Sequence, residues 1–125
     1  MSARLALLVF LAGGCGAVCR YGLSEALARA FGHGLPLGTF AVNILGSFLF
    51  GVVWELACVR LMLSEAARVA LCVGFMGSFT TFSSLMFDSW ALLQDRPALF
   101  AANLAAQLAL GFAALVLGFH AARLV

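Results

Sequence analysis

Charged residues are scarce in this sequence of 125 residues, of which they make up 10%, and lysine is absent. A soluble domain has about a quarter of its residues charged. Here 65% of the residues are hydrophobic, and a chain this short cannot hide that much apolar surface from water. The net charge of +2 includes no basic cluster that would bind nucleic acid. The composition predicts an integral membrane protein with a single domain, residues 1–125.

Carboxylates and histidines are also missing from the middle of the apolar runs. Glu25, Glu55 and Asp88 lie near the ends of runs, and His33 and His120 lie in a loop and at the end of the last run. A proton-coupled exporter needs a protonatable relay inside the membrane. An enzyme needs a nucleophile, a base and a group that orients the base. The sequence therefore predicts no enzyme, and a small multidrug-type exporter stays as the weaker alternative.

The four cysteines fall in or beside apolar runs, where cysteine mostly acts as a small hydrophobe. Cys15 and Cys19 are one helical turn apart and could face a metal together, but no histidine or carboxylate joins them. Arg4, an apolar run and LAGGC could form a secretory signal that ends at a lipidated Cys15. Its cleavage site is poor, because no Ala-x-Ala precedes it.

Four runs are long and apolar enough to cross a membrane as helices, at about 5–28, 36–57, 67–93 and 97–121. They lack the alternation of barrel strands, so helices are the only way for them to span lipid. The predicted fold is an all-α integral membrane protein with four transmembrane helices.

Positive charge is only slightly biased toward one end of such a bundle. Four spans put both termini on one side of the membrane. That side carries four arginines, Arg4, Arg60, Arg68 and Arg123, and the other side carries two, Arg29 and Arg96. This weak bias allows insertion in both orientations. A chain that inserts both ways can form an antiparallel, dual-topology dimer, which is the two-chain form of an inverted repeat.

The third run is interrupted in its middle by GFMGSFTTFSS, residues 74–84. Gly77 tolerates non-helical dihedrals, and Thr80 and Thr81 are β-branched and can bond to nearby backbone. This composition favours a broken helix, although a simple kink at a Gly/Ser pair is the alternative. Freed carbonyls would suit a hard cation such as Na⁺, whereas freed N–H groups and hydroxyls would suit an anion.

Polar side chains inside the other runs form two lines. Thr39 and Asn43 share a face of the second run, and Asn103 and Gln107 are one turn apart on the fourth. They are either a polar track or interhelical hydrogen bonds. Arg20 lies inside the first run, where it is either functional or snorkels to the interface near Glu25.

The chain resembles the Fluc/CrcB family of fluoride channels over essentially its whole length. The resemblance rests on three motifs in order: GGCGAVCRY at 13–21, GTFAVNILGSFLFG at 38–51 and GFMGSFTTFSS at 74–84. It implies an antiparallel dimer with two pores in the bacterial inner membrane. It also implies passive, selective fluoride efflux that lowers cytoplasmic fluoride.

The resemblance further implies roles for individual residues. The fluoride path would be lined by Thr39, Asn43, Phe82, Ser83, Ser84, Leu85, Asn103 and Gln107. Arg20 and Asp88 would stand in the vestibules. A structural Na⁺ at the dimer interface would be held by the backbone carbonyls of Gly77 and Thr80 from each chain.

Leu85 is the main departure from the family pattern, which has a second pore phenylalanine at this position. Asn103 and Gln107 also depart from the aromatic or imidazole donor and the serine that are more usual in the fourth helix. Either the pore works with one phenylalanine and an amide track, or the chain is one subunit of a heterodimeric channel.

Overall fold

The structure is a computed structural model that describes residues 2–124, and within that range it is helical without strands. Four helices are long and apolar enough to cross a membrane, and we call them the first to fourth spans: Ala3–Phe31, Leu37–Val59, Glu65–Asp95 and Pro97–Arg123. The predicted all-α fold with four spans is confirmed. The ends predicted from the sequence lie within three residues of these bounds.

Local sequence signals account for the ends of these spans. The Ser2 hydroxyl accepts from the N–H of Leu5 at 3.3 Å, and Ser64 caps the third span in the same way. Gly32 ends the first span with a φ of +81°, a backbone conformation that residues other than glycine rarely adopt. Pro97 opens the fourth span, where its missing N–H costs nothing.

The second and fourth spans form the most extensive helix pair, and glycines bring their backbones together. A Cβ on Gly51 would collide with the carbonyl of Leu115, and one on Gly118 would collide with the carbonyl of Phe48. The first span packs in the same way on the first half of the third, with Gly16 against the carbonyl of Phe75. Lipid gives no hydrophobic drive to helix pairing, so this close backbone contact holds the bundle together.

Two stretches of the spans are wound as π-helix, Glu55–Val59 and Ala70–Met76. The first presents the Glu55 carboxylate, which is buried and accepts from Arg123 at 3.1 and 3.4 Å. This carboxylate is held in an ion pair at the end of a span, away from the middle of the bundle. The sequence carried no signal for either π-helical stretch.

The glycine contacts generate a prediction for stability. Gly118→Ala should lower the free energy of unfolding by about 1–3 kcal/mol, because a backbone carbonyl cannot move aside for the new methyl group. Gly111→Ala is the matched control on the same span. Its Cβ would meet the nearest atoms at 3.6 and 3.9 Å, so it should be neutral or stabilise by up to about 1 kcal/mol. Unfolding in detergent compares the two, and equal losses would contradict the packing described.

Candidate ion-binding site at the broken helix

The third span is broken at its centre. The first helix of this span ends at Phe79. Thr80 and Thr81 are extended, with φ/ψ of −80°/157° and −149°/110° respectively, and a new helix runs over Phe82–Asp95. The predicted break is confirmed, and the alternative of a simple kink is wrong. The break divides the span into two nearly equal halves, so it lies near the middle of the membrane.

Hydroxyl groups around the break replace the hydrogen bonds of a continuous helix. The Thr80 hydroxyl donates to the carbonyl of Met76 at 3.0 Å. The Thr81 hydroxyl accepts from the N–H of Ser84 at 3.2 Å and so caps the second half-helix. It also donates to the Ser84 hydroxyl at 3.0 Å and lies 3.3 Å from that of Ser83. The predicted hydroxyl pair, Ser83 and Ser84, therefore begins the second half-helix beside the break.

Asn43 holds the unwound backbone from the neighbouring span. Its Oδ1 accepts from the N–H of Thr81 at 2.8 Å, and its Nδ2 donates to the carbonyl of Thr81 at 3.2 Å. One side-chain amide thus satisfies both backbone groups of Thr81, much as a neighbouring strand would. Gly46, one turn further along, has no side chain, and the Thr80 methyl group packs into the space where its Cβ would be.

The amide of Asn43 also begins a chain of side-chain amides. Its Nδ2 donates to Gln107 Oε1 at 2.8 Å, and Gln107 Nε2 donates to Asn103 Oδ1 at 3.2 Å. Each amide therefore donates to the next in the same direction, from Asn43 through Gln107 to Asn103. The last donor, Asn103 Nδ2, is buried and has no hydrogen-bond partner among residues 2–124. The structure brings these three predicted residues together in one network.

The carbonyls of Gly77 and Thr80 lose the donors that a continuous helix would give them. The N–H of Thr81, which would bond to Gly77, goes to Asn43 instead. The N–H of Ser84, which would bond to Thr80, goes to the Thr81 hydroxyl. Both residues line one cavity of about 360 Å³, which we call the break cavity. Hard cations take oxygen ligands, so these two residues fit the predicted Na⁺.

Arg20 reaches the break from the first span. Its Nε donates to the carbonyl of Ser78 at 3.1 Å, and its side chain lines the break cavity. Glu25 pairs with Arg29 at 3.0 Å instead. Arg20 therefore does not snorkel toward Glu25, and it places a positive charge beside the unwound segment.

A second cavity, of about 320 Å³, lies on the other side of the break, and we call it the amide cavity. Asn43 and Gln107 border it together with Phe82 and Leu85. Leu85 is 4% exposed, whereas Phe82 is 70% exposed and borders the break cavity as well. Phe82 therefore borders both cavities, and most of its surface is uncovered in the single chain.

A third cavity, of about 500 Å³, opens where the first two spans meet, and we call it the outer cavity. Thr39 and Asp88 line it, along with Asp95 and Arg96. Arg20 and Asp88, both predicted to stand in vestibules, therefore lie in separate cavities. Asp88 Oδ2 is buried and without a hydrogen-bond partner in the part of the chain that is described.

Two features of the site were missed by the sequence analysis. The carbonyl of Ser78, which binds Arg20, is a backbone atom and leaves no mark in the residue type. Ser89 is 4% exposed, and its hydroxyl has no partner within residues 2–124. The available signal was a serine one helical turn beyond Leu85, on the same face of the second half-helix.

Together these features define a small multi-pass membrane protein built around a helix that is broken at mid-membrane and lined by hydrogen-bond donors. The family model described as "CrcB-like protein, Camphor Resistance (CrcB)" matches residues 7–119. The chain belongs to this family.

Several relatives are similar to the chain over nearly their whole length. Each is named "Fluoride-specific ion channel FluC". The protein from Solidesulfovibrio magneticus is 48% identical over 118 residues, which cover 94% of each chain. The protein from Nitratidesulfovibrio vulgaris is 46% identical, over 94% of this chain and 96% of its own length. The protein from Chlorobaculum tepidum is 48% identical, over 94% of each chain.

The role of Asn43 generates a prediction that does not depend on transport. Asn43→Leu should lower the free energy of unfolding by about 2 kcal/mol or more, because it leaves both backbone groups of Thr81 without partners. Asn103→Leu is the matched control: it leaves one donor, Gln107 Nε2, without a partner but also removes the unpartnered Asn103 Nδ2, so it should cost only about 1 kcal/mol. Denaturant unfolding of the purified variants gives both values. Equal losses would show that Asn43 does not hold the break.

Proposed function

We propose that the chain forms a fluoride-selective channel that lets fluoride leave the bacterial cell passively through the inner membrane. Relatives similar over nearly the whole chain are named as fluoride-specific ion channels, in agreement with the prediction of no enzymatic activity. The observation that carries the proposal is the directional amide chain of Asn43, Gln107 and Asn103 beside the amide cavity.

The chemistry of fluoride explains why a line of amide donors would help it cross the membrane. The ion is small and strongly hydrated, so removing its water without replacement is very unfavourable. Amide N–H groups and hydroxyls can take the place of water in steps, from Asn43 and Gln107 to Ser83 and Ser84. Acidic groups beside the amide chain would oppose an anion, but Glu55 is tied to Arg123 and Asp88 lines the separate outer cavity.

Aromatic rings would complete the path without trapping the ion. The edge of a phenylalanine ring carries partial positive charge, so it attracts an anion weakly. Conduction needs sites that bind well enough for entry and weakly enough for exit. Phe82, which is exposed and borders both the amide and break cavities, is in the right place for this role.

The working unit that we propose is an antiparallel pair of chains with two pores. A two-fold axis in the membrane plane keeps mid-membrane groups at mid-membrane, so the two breaks would meet. In the single chain Gly77 is exposed and the ring of Phe82 is 70% exposed, which supports a second copy covering this face. The weak bias of the arginines, four on one side and two on the other, allows insertion in both orientations.

Na⁺ fits between the two copies as a structural ion. Each chain would contribute the carbonyls of Gly77 and Thr80, which have lost their helical donors. Na⁺ would supply positive charge that offsets the dipoles of these carbonyls. The chain's own share is to hold the carbonyls in place through Asn43 and the Thr81 hydroxyl.

Leu85 favours a second candidate, in which the chain is one subunit of a heterodimeric channel. Its side chain borders the amide cavity and is 4% exposed, so it occupies the place of a ring with a group that has no polarised edge. A homologous partner with a phenylalanine there would restore the ring.

Efflux from liposomes tests the function. We expect the purified chain to release fluoride down its gradient and to retain chloride, with a fluoride-selective electrode and a chloride electrode reading the two ions. Equal release of both would reject the proposal. Release of fluoride only after co-expression with a homologous subunit would select the heterodimer.

Removal of sodium tests the structural ion. Exchange of Na⁺ for a large organic cation during purification should weaken the dimer, because the carbonyls of Gly77 and Thr80 would face one another without a positive charge between them. Size-exclusion chromatography with light scattering measures the dimer fraction, and re-addition of Na⁺ should restore it. A dimer fraction independent of Na⁺ would contradict this assignment.

A further inference from the structure

Ser89 and Asn103 lie at the same depth on the two helices of the hairpin that the third and fourth spans form. The two spans pack together and are joined at Arg96, and these two residues are equally far from it along the chain. Helical rise is constant, so equal separation from the turn gives equal depth. Leu85 and Gln107 are also equally far from Arg96, and they border the same cavity, which supports this register.

Both residues present a buried hydrogen-bonding atom with nothing to bind. Ser89 is 4% exposed, and neither its Oγ nor Asn103 Nδ2 has a partner in the described range 2–124. A buried polar group without a partner costs free energy, and more so inside a membrane. Such groups in a native fold call for a ligand or a water.

The direction of the amide chain identifies the missing ligand as an acceptor. Asn103 Oδ1 is already held by Gln107 Nε2, so the free group of Asn103 can only donate. The Ser89 hydroxyl can donate as well. A small anion accepts from both at once and satisfies both.

The depth of Ser89 and Asn103 relative to the two cavities indicates which step of the ion's path they serve. Ser89 and Asn103 border neither the amide cavity, with Leu85 and Gln107, nor the outer cavity, with Asp88. Each is one helical turn from a residue of the amide cavity, and Ser89 is next to Asp88 of the outer cavity, so by depth along the hairpin they lie between the two cavities. Asp88 is half-buried, with Oδ2 buried and unpartnered within residues 2–124, and a carboxylate there would weaken the binding of an anion nearby, so the ion would not be trapped.

We propose that Ser89 and Asn103 form a fluoride-binding station in the constriction between the amide and outer cavities, with Ser89 as a donor that controls passage. This deepens the proposed function and depends on it. The station consists of the Ser89 hydroxyl and the free N–H groups of the Asn103 amide.

Fluoride efflux from liposomes, measured on full-length variants, tests the station. Ser89→Ala should slow fluoride efflux about tenfold, because a hydrogen bond to a charged group is lost. Ser89→Thr keeps the hydroxyl and should retain most of the wild-type rate. Asn103→Leu should also slow efflux, and its combination with Ser89→Ala should slow it by less than the product of the two single effects, because both groups bind one ion.

Stability separates a binding role from a structural one. Ser89→Ala removes an unsatisfied polar atom, so its thermal unfolding should be unchanged or shifted upward while efflux falls. Wild-type efflux in Ser89→Ala, or equal slowing in Ser89→Ala and Ser89→Thr, would overturn the station and would leave the channel function standing. A wild-type protein that moves no fluoride would reject the channel function and the station together.

Discussion

The pairing of the Asn43 side chain with the backbone of Thr81 is the interaction on which this structure depends. A helix cannot be broken inside a membrane unless something else satisfies the freed N–H and C=O groups. One amide on the neighbouring span satisfies both groups of Thr81 and still donates to Gln107. The break, the freed carbonyl of Gly77 and the amide chain are therefore parts of one arrangement.

Close backbone packing gives this arrangement its rigidity. Gly46 lets the Thr80 methyl group fill the space beside the second span, and Gly118 lets that span lie against the fourth. Asn43 and Gln107 can reach each other at 2.8 Å because these two spans are so close. Small residues thus set the distances at which the polar groups work.

Much of the fold could be predicted from the sequence because the membrane allows few solutions. Long apolar runs had to be helices, and a run with Gly77, Thr80 and Thr81 at its centre was a poor continuous helix. The amides on the second and fourth spans could be assigned to shared faces from their spacing. Whether they formed a track or held the helices together could not be decided, and the structure shows that Asn43 holds the break while it also borders a cavity.

Other features depend on the fold as a whole and left no mark in the residue pattern. The π-helical turns at Glu55–Val59 and Ala70–Met76 change the facing of side chains without any sequence signal. The bond from Arg20 to the carbonyl of Ser78 depends on where a backbone atom points after the break. The burial of Ser89 depends on the packing of two helices that the sequence could only place next to each other.

The uniform polarity of the amide chain has an electrical consequence. Each amide carries a dipole, and because the donors run in one direction from Asn43 to Asn103, the dipoles add along the fourth span. A single pore lined by one such amide chain would pass current more easily in one direction than in the other. Two conduits of opposite orientation side by side would cancel that preference, so a head-to-tail pair would give a symmetric current–voltage curve even though each half is asymmetric.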